Sequence, residues 1–189
     1  VLAGISHDLR TPLARVRLAA ELSTDESLRE GLVADVEQMD AVIRQFLDYA
    51  RLDESEAAVL TDLQALMQKT AQPFAAQARL TLDLQPVPPL AVRPLLLKRA
   101  LANLLDNAVK YGGGEISVQL GQDGNRVILS VADRGAGIPA AQREAAKRPF
   151  VRLESARSDT TGSGLGLAIV ERAARLHGGE FYLEDRAEG

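Results

Sequence analysis

The stretch PLLLKRALANLLDNAVKY, residues 94–111, reads as one helix with two unlike faces, and the rest of the chain can be placed around it. Proline suits the first helical position, because the N–H it lacks would have no intrahelical partner there. Leu97, Leu101, Leu104 and Ala108 recur at helical spacing and make an apolar face. About a third of a turn away, Asn103, Asn107 and Lys110 form a second stripe. Two carboxamides and an ammonium suit a hydrated magnesium ion and phosphate oxygens. Neutral oxygen ligands bind magnesium without cancelling the charge that phosphates supply. A solvated helix face would carry the same residues, so the stripe gains meaning only from its neighbours.

Towards the C-terminus, EISVQLG (115–121) and RVILSVAD (126–133) alternate like two strands of a half-buried sheet, with GQDGN as the turn. Val127, Leu129 and Val131 share a face that Asp133 continues, and a carboxylate on a core-facing line needs a partner. An exocyclic amine such as adenine's would satisfy it, and Gly135 and Gly137 would let a flat ring approach the backbone. GAGIPAAQREAAK then gives a glycine turn and a short helix, and residues 151–163 a polar loop. TGSGLGLAIV (161–170) places Gly162, Gly164 and Gly166 at the start of a helix running from Leu165 to Leu176. Free N–H groups and the positive dipole end there can hold phosphates. Arg152 and Arg157 in the loop are phosphate-clamp candidates. No GxxxxGK[ST] loop occurs, nor a strand followed by GxGxxG in dinucleotide-binding context. GGEFYLED (178–185) is expected as a last strand.

Towards the N-terminus, Asp62 is placed to cap a helix reaching about Ala78, and LTLDLQ (80–85) reads as a strand that Pro86, Pro88 and Pro89 end. Residues 53–60 read as a linker. The expected unit is an α/β sandwich with one layer of helices on a mixed sheet. Before the linker the texture is purely helical. Leu2, Ile5, Leu9, Pro12, Val16 and Ala19 make one heptad seam, and Leu32, Val36, Met39, Ile43, Phe46 and Ala50 another. Ser23-Thr24-Asp25-Glu26 between them offers N-cap residues. The reading is an antiparallel helical hairpin, and two copies paired into a four-helix bundle would cover both seams, so a homodimer is expected.

His7 falls at the heptad position farthest from the seam, facing water. Thr11 lies one turn on, on the same face, and Asp8 is adjacent. Pro12 lacks the N–H that would bond the carbonyl of Asp8, so the helix should kink one turn past the histidine. A neutral imidazole is a competent nucleophile, and a carboxylate on one ring nitrogen fixes the tautomer and raises the reactivity of the other. Composition narrows the chemistry further. The chain holds no cysteine and two histidines, which excludes disulfides, thiolate zinc sites and thiol nucleophiles. Its 22 basic against 26 acidic residues, a net charge of −4, argue against binding nucleic acid through a general basic surface. No apolar run reaches the ~18 residues of a membrane helix. The opening VLAGISHDLR, without Met and already helical in period, suggests a piece of a longer protein whose missing N-terminal segment holds a membrane sensor.

Four motifs in order, SHDLRTPL (6–13), NLLDNAVKY (103–111), DRGAGIP (133–139) and TGSGLGL (161–167), resemble the H, N and two glycine boxes of two-component sensor histidine kinases. SHDLRTPLARVRLAAEL and FVR…SAR…TGSGLGLAIV are similar to the EnvZ-type osmosensing subgroup. The resemblance implies a dimerisation and histidine phosphotransfer hairpin over 1–55 and a GHKL, or Bergerat-type, ATP-binding α/β sandwich over 56–189. It implies that His7 accepts phosphate, Asp8 polarises it and Thr11 positions water for dephosphorylation of the partner. ATP would be held by Asn103, Asn107, Lys110, Tyr111, Asp133, Gly135, Gly137, Ile138, Arg152, Thr161, Gly162, Gly164, Leu165 and Gly166, with Asn107 carrying Mg2+. Residues 151–163 become the ATP lid. The implied partner is the receiver domain of an OmpR-like response regulator, with no nucleic acid, and the implied place is the cytoplasmic portion of a bacterial inner-membrane sensor.

Two departures stand out. The family often has a phenylalanine before Pro149-Phe150 where this chain has Ala146-Lys147-Arg148, so the F box is half present. The chain stops at RAEG, where the family usually turns back into a final strand, so that strand is expected to be missing and an edge left unpaired. Two other readings fit the same pocket: a nucleotide-binding scaffold without transfer, and an ATP hydrolase using a carboxylate such as Asp106.

Overall fold

The computed structural model describes residues 13–14, 16, 18–22, 25–50, 56–152 and 164–186. The hairpin is seen in part. Residues 13, 14, 16 and 18–21 are helical, and α1 (Glu26–Ala50) follows. Of the four cap candidates, Asp25 caps α1: its carboxylate accepts the Leu28 N–H at 3.1 Å.

The second unit contains β1 (Val59–Thr61), α2 (Leu63–Ala71), β2 (Arg79–Leu84), β3 (Leu90–Val92), α3 (Pro94–Tyr111), β4 (Glu115–Asp123), β5 (Arg126–Ala132), α4 (Arg143–Ala146) and α5 (Gly166–Leu176). Asp62 caps α2 by accepting from the Ala65 N–H at 3.0 Å, and a 3-10 stretch, Gln72–Ala76, extends it. The main sheet runs β2-β4-β5, with β2 parallel and β5 antiparallel to β4. It is the mixed sheet expected. Strands β4 and β5 run farther than the sequence indicated, because Asp123 already pairs with Arg126. The turn is therefore just Gly124 and Asn125, with Gly124 at φ +56°. Such a two-residue loop with positive φ matches the twist of its flanking strands.

Two sequence expectations change. The end of the presumed linker runs into β1, which pairs with β3 in a three-rung antiparallel ladder, Val59↔Val92 to Thr61↔Leu90. Three residues are too few to display a period of two. GGEFYLED is not a strand. Its alternation survives, with Phe181 and Leu183 half-buried and Tyr182 and Glu184 exposed, but it takes part in no ladder. Side chains hold it instead: Phe181 packs on the helices, and Asp185 pairs with Arg143. Alternation reports which side is buried, whereas a strand also needs a neighbour with open backbone groups.

Helix α3 is central because it is buried on two sides. Leu101, Leu105 and Ala108 join Leu63, Met67 and Ala71 of α2 and Ile116, Val118 and Leu120 of β4 in one cluster. Leu96 and Ala100 join Leu165, Ile169, Val170 and Ala173 around α5 in a second. The apolar face is thus wider than the sequence suggested, and the asparagine stripe occupies what remains.

Candidate functional site: polar residues of α3, the loop after β5 and the start of α5

The start of α3 is fixed from a distance. Glu56 accepts from the N–H groups of Leu95 at 2.7 Å and Leu96 at 3.0 Å, supplying the anionic cap that Pro94 and its neighbours lack. The Arg93 N–H donates to His177 Nε2 at 2.9 Å, so that nitrogen is unprotonated and Nδ1–H donates to the Ala173 carbonyl at 2.8 Å. His177 thus holds the end of α5 to the start of α3 as a neutral ring. Neither cap was legible beforehand, since both join residues far apart in sequence.

Farther along α3, the Asn103 amide donates to the Arg99 carbonyl at 2.8 Å, which turns its Oδ1 outward. A Cβ at Gly166 would lie 3.2 Å from that oxygen and 3.6 Å from Asn107 Nδ2. The two carboxamides therefore lie against the first residue of α5, where peptide N–H groups lack helical partners. Asp106, between them in sequence, has its carboxyl pushed above the ordinary value by burial, with Lys110 pulling it partly back. Lys110 and Tyr111 are exposed at the end of the helix.

Asp133 lies just beyond β5, half-buried, its Oδ1 accepting the Gly135 N–H at 2.8 Å. The Arg134 N–H donates to the Gly112 carbonyl at 3.0 Å, tying this loop to the end of α3. Glycine is required at both contact points. A Cβ on Gly112 would fall 2.5 Å from the Asp133 Cβ, and one on Gly135 would collide with the Tyr111 carbonyl oxygen. Gly135 thus makes room for the protein's own backbone, whereas Gly137, at φ +69°, meets only Asp185 Oδ1 at 3.9 Å. Ile138 is half-buried behind it.

Phe150 and Gly164, on either side of residues 151–163, meet. The Phe150 N–H donates to the Gly164 carbonyl at 2.9 Å, with Phe150 at φ +64° and Gly164 at φ +72°. Leu165 is fully buried and Arg152 half-buried beside this junction. Phe150 also stacks, tilted by 37° at 6.0 Å, on Phe46 of α1. Where the F box lacks its earlier phenylalanine, Ala146 is buried and Lys147, 12% exposed, stands 5.7 Å from the centre of the Phe181 ring while pairing with Glu144 at 2.8 Å. The structure therefore gathers Asn103, Asn107, Gly164, Leu165 and Gly166 on one side, and Asp133, Gly135, Gly137, Ile138 and Tyr111 at the other end of α3. His7, Asp8, Thr11, Thr161 and Gly162 lie outside the described residues. No cluster of three histidine or acidic side chains suited to a metal occurs among the described residues. A cation held beside Asn103 and Asn107 would rest on amide and phosphate oxygens, and the two carboxamides fit that requirement. No described helix is long and apolar enough to cross a membrane.

The family described as "Histidine kinase-, DNA gyrase B-, and HSP90-like ATPase" matches residues 92–189, and the "His Kinase A (phospho-acceptor) domain" matches residues 1–55. The sensor histidine kinase GtrS of Pseudomonas aeruginosa is 39% identical over 100% of this chain, which covers 39% of that protein. The sensor histidine kinase CpxA of Escherichia coli is 34% identical over 100% of the chain and 44% of its own length. The chain thus spans about two-fifths of the curated relatives it matches. Among solved structures, full-length ShkA in complex with AMPPNP superposes with a TM-score of 0.71 at 28% identity, over 92% of this chain and 40% of that one. The NMR structure of the histidine kinase domain of the Escherichia coli osmosensor EnvZ gives 0.54 at 35% identity, over 71% and 84%.

Proposed function

The chain belongs to the histidine kinase-, DNA gyrase B- and HSP90-like ATPase family, as a sensor histidine kinase, and from that premise we propose that it phosphorylates His7 with ATP and passes the phosphoryl group to an aspartate of a response regulator. The observation that carries this reading is the pairing of two sites in one chain. Carboxamides lying against a helix N-terminus and a carboxylate at a strand end share one chain with the SHDLRTPL segment that carries His7. Asp133 receives the adenine amine, while Asn103, Asn107, Lys110, Arg152 and the glycines opening α5 take the phosphates. Magnesium, when bound at Asn107, neutralises phosphate charge.

A neutral ring nitrogen of His7 attacks the terminal phosphorus in line. The bond to the bridging oxygen breaks and leaves ADP, a phosphorus–nitrogen bond forms, and the ring's other N–H gives its proton to Asp8. Positioning and charge stabilisation supply most of the acceleration in such transfers. Thr11 orients water when the same chain dephosphorylates its regulator. The subunit works as a homodimer through the hairpin, with domains at 1–55 and 56–189, within the cytoplasmic part of an inner-membrane sensor. The likeness to the EnvZ domain supports an EnvZ-type placement and an OmpR-like receiver as partner.

Incubation with γ-labelled ATP and magnesium tests this. Acid-labile label on the wild type that disappears in His7→Ala is the expected result. Label surviving that substitution would move the nucleophile elsewhere. Free phosphate without labelled protein would mark a hydrolase, and nucleotide binding with neither would mark a scaffold.

A further inference from the structure

Arg143, the first residue of α4, reaches two segments that lie outside its helix. Its Nε donates to the Ile138 carbonyl at 3.0 Å, and its Nη2 donates to Asp185 Oδ1 at 2.5 Å. The arginine side chain is 21% exposed and the aspartate 79%. Ile138 ends the glycine loop that begins at Asp133. The loop's first half is held to its own carboxylate and to Gly112. Its second half is held by Arg143, and the same Asp185 oxygen that anchors the guanidinium also borders Gly137.

A guanidinium presents its donors in a fixed planar fork, so it can hold a carbonyl and a carboxylate in one geometry, which a lysine ammonium cannot do. An ion pair whose acid is mostly in water adds little stability. Its consequence is orientation: it fixes how the Gly137–Ile138 backbone faces the carboxylate of Asp133. We propose that Arg143, anchored by Asp185, is a positioning residue that sets the second half of the glycine loop and so determines the preference for adenine's exocyclic amine. This rests on the reading that Asp133 and its loop receive adenine.

The test is calorimetric binding of ADP and of IDP, whose base carries a carbonyl in place of that amine, with unfolding temperatures recorded for every variant of the full chain. The wild type is expected to prefer ADP. Arg143→Gln should weaken ADP binding about tenfold, the order expected for one charge-assisted hydrogen bond, while IDP changes much less, so the selectivity ratio falls. Arg143→Lys should not restore the ratio, and Asp185→Asn should lower it in the same direction. Unfolding temperatures should drop by no more than about 2 °C. An unchanged ratio in the folded variants, or full restoration by lysine, overturns the proposal. If Arg143→Gln does not fold, the Asp185→Asn ratio decides. If the wild type binds IDP as well as ADP, the adenine reading itself fails, and that failure is visible before any variant is made.

Discussion

Helices α1 and α3 are both amphipathic, yet α3 hides its apolar residues and α1 displays them. Five residues of α3 are buried, because α2, the sheet and α5 close on it from two sides. Among the described side chains of α1 only Val36 reaches that state, and Leu28, Met39 and Phe46 remain exposed. Across the turn Val16, Leu18 and Leu22 are exposed as well. Soluble monomers rarely leave so much apolar surface together. The ATP-binding unit therefore completes its core within one chain, whereas the described apolar side chains of the hairpin would be covered by the proposed second copy, and the two halves should respond differently to the same insult.

Placing a charge in each seam sharpens this contrast. Leu101→Asp, at a residue with no exposure, should cost several kcal/mol and abolish cooperative thermal unfolding of the ATP-binding unit. Met39→Asp, at a residue 54% exposed in the single chain, should leave that unit folded by circular dichroism. Its effect should appear in sedimentation equilibrium, as a dimer dissociation constant raised about thirtyfold. A monomeric wild type, or a Met39→Asp chain that unfolds, would break the comparison.

A smaller effect probes the wet face of α3. Burial raises the Asp106 carboxyl and Lys110 offsets part of that rise. A raised folded-state value means the protonated form is favoured on folding, so its contribution is present at low pH and lost as pH rises through the folded value. Asp106→Asn should therefore raise the unfolding temperature by about 1 °C at neutral pH, with the gain shrinking as the pH falls into the carboxylate range. A gain that grows on acidification would reverse the sign and contradict the burial account.

Much of the ATP-binding unit was legible in the sequence because its elements carry strong local signals. Pro94 opens α3 and Tyr111 ends it as read, and Val127, Leu129 and Val131 face the core as their spacing indicated. The stripe of Asn103 and Asn107 and the Asp133 line were legible for the same reason. What joins them was not. That Gly166 lies against both asparagines, that Gly112 and Gly135 bring Asp133 to α3, that Glu56 and His177 bind distant backbone groups, and that Arg143 pairs with Asp185 are all long-range contacts. They leave no periodicity behind. The segment 178–185 misled for a related reason, since its alternating burial imitates a strand without the ladder.

In the proposed function, the asparagine stripe of α3 and the Asp133 loop hold the ATP that phosphorylates His7. Mass spectrometric mapping of the chain at neutral pH, after incubation with ATP and magnesium, tests it most directly. A single phosphoryl group located on His7 is expected. Phosphate found on another residue, or an unmodified chain beside freed phosphate, would contradict it.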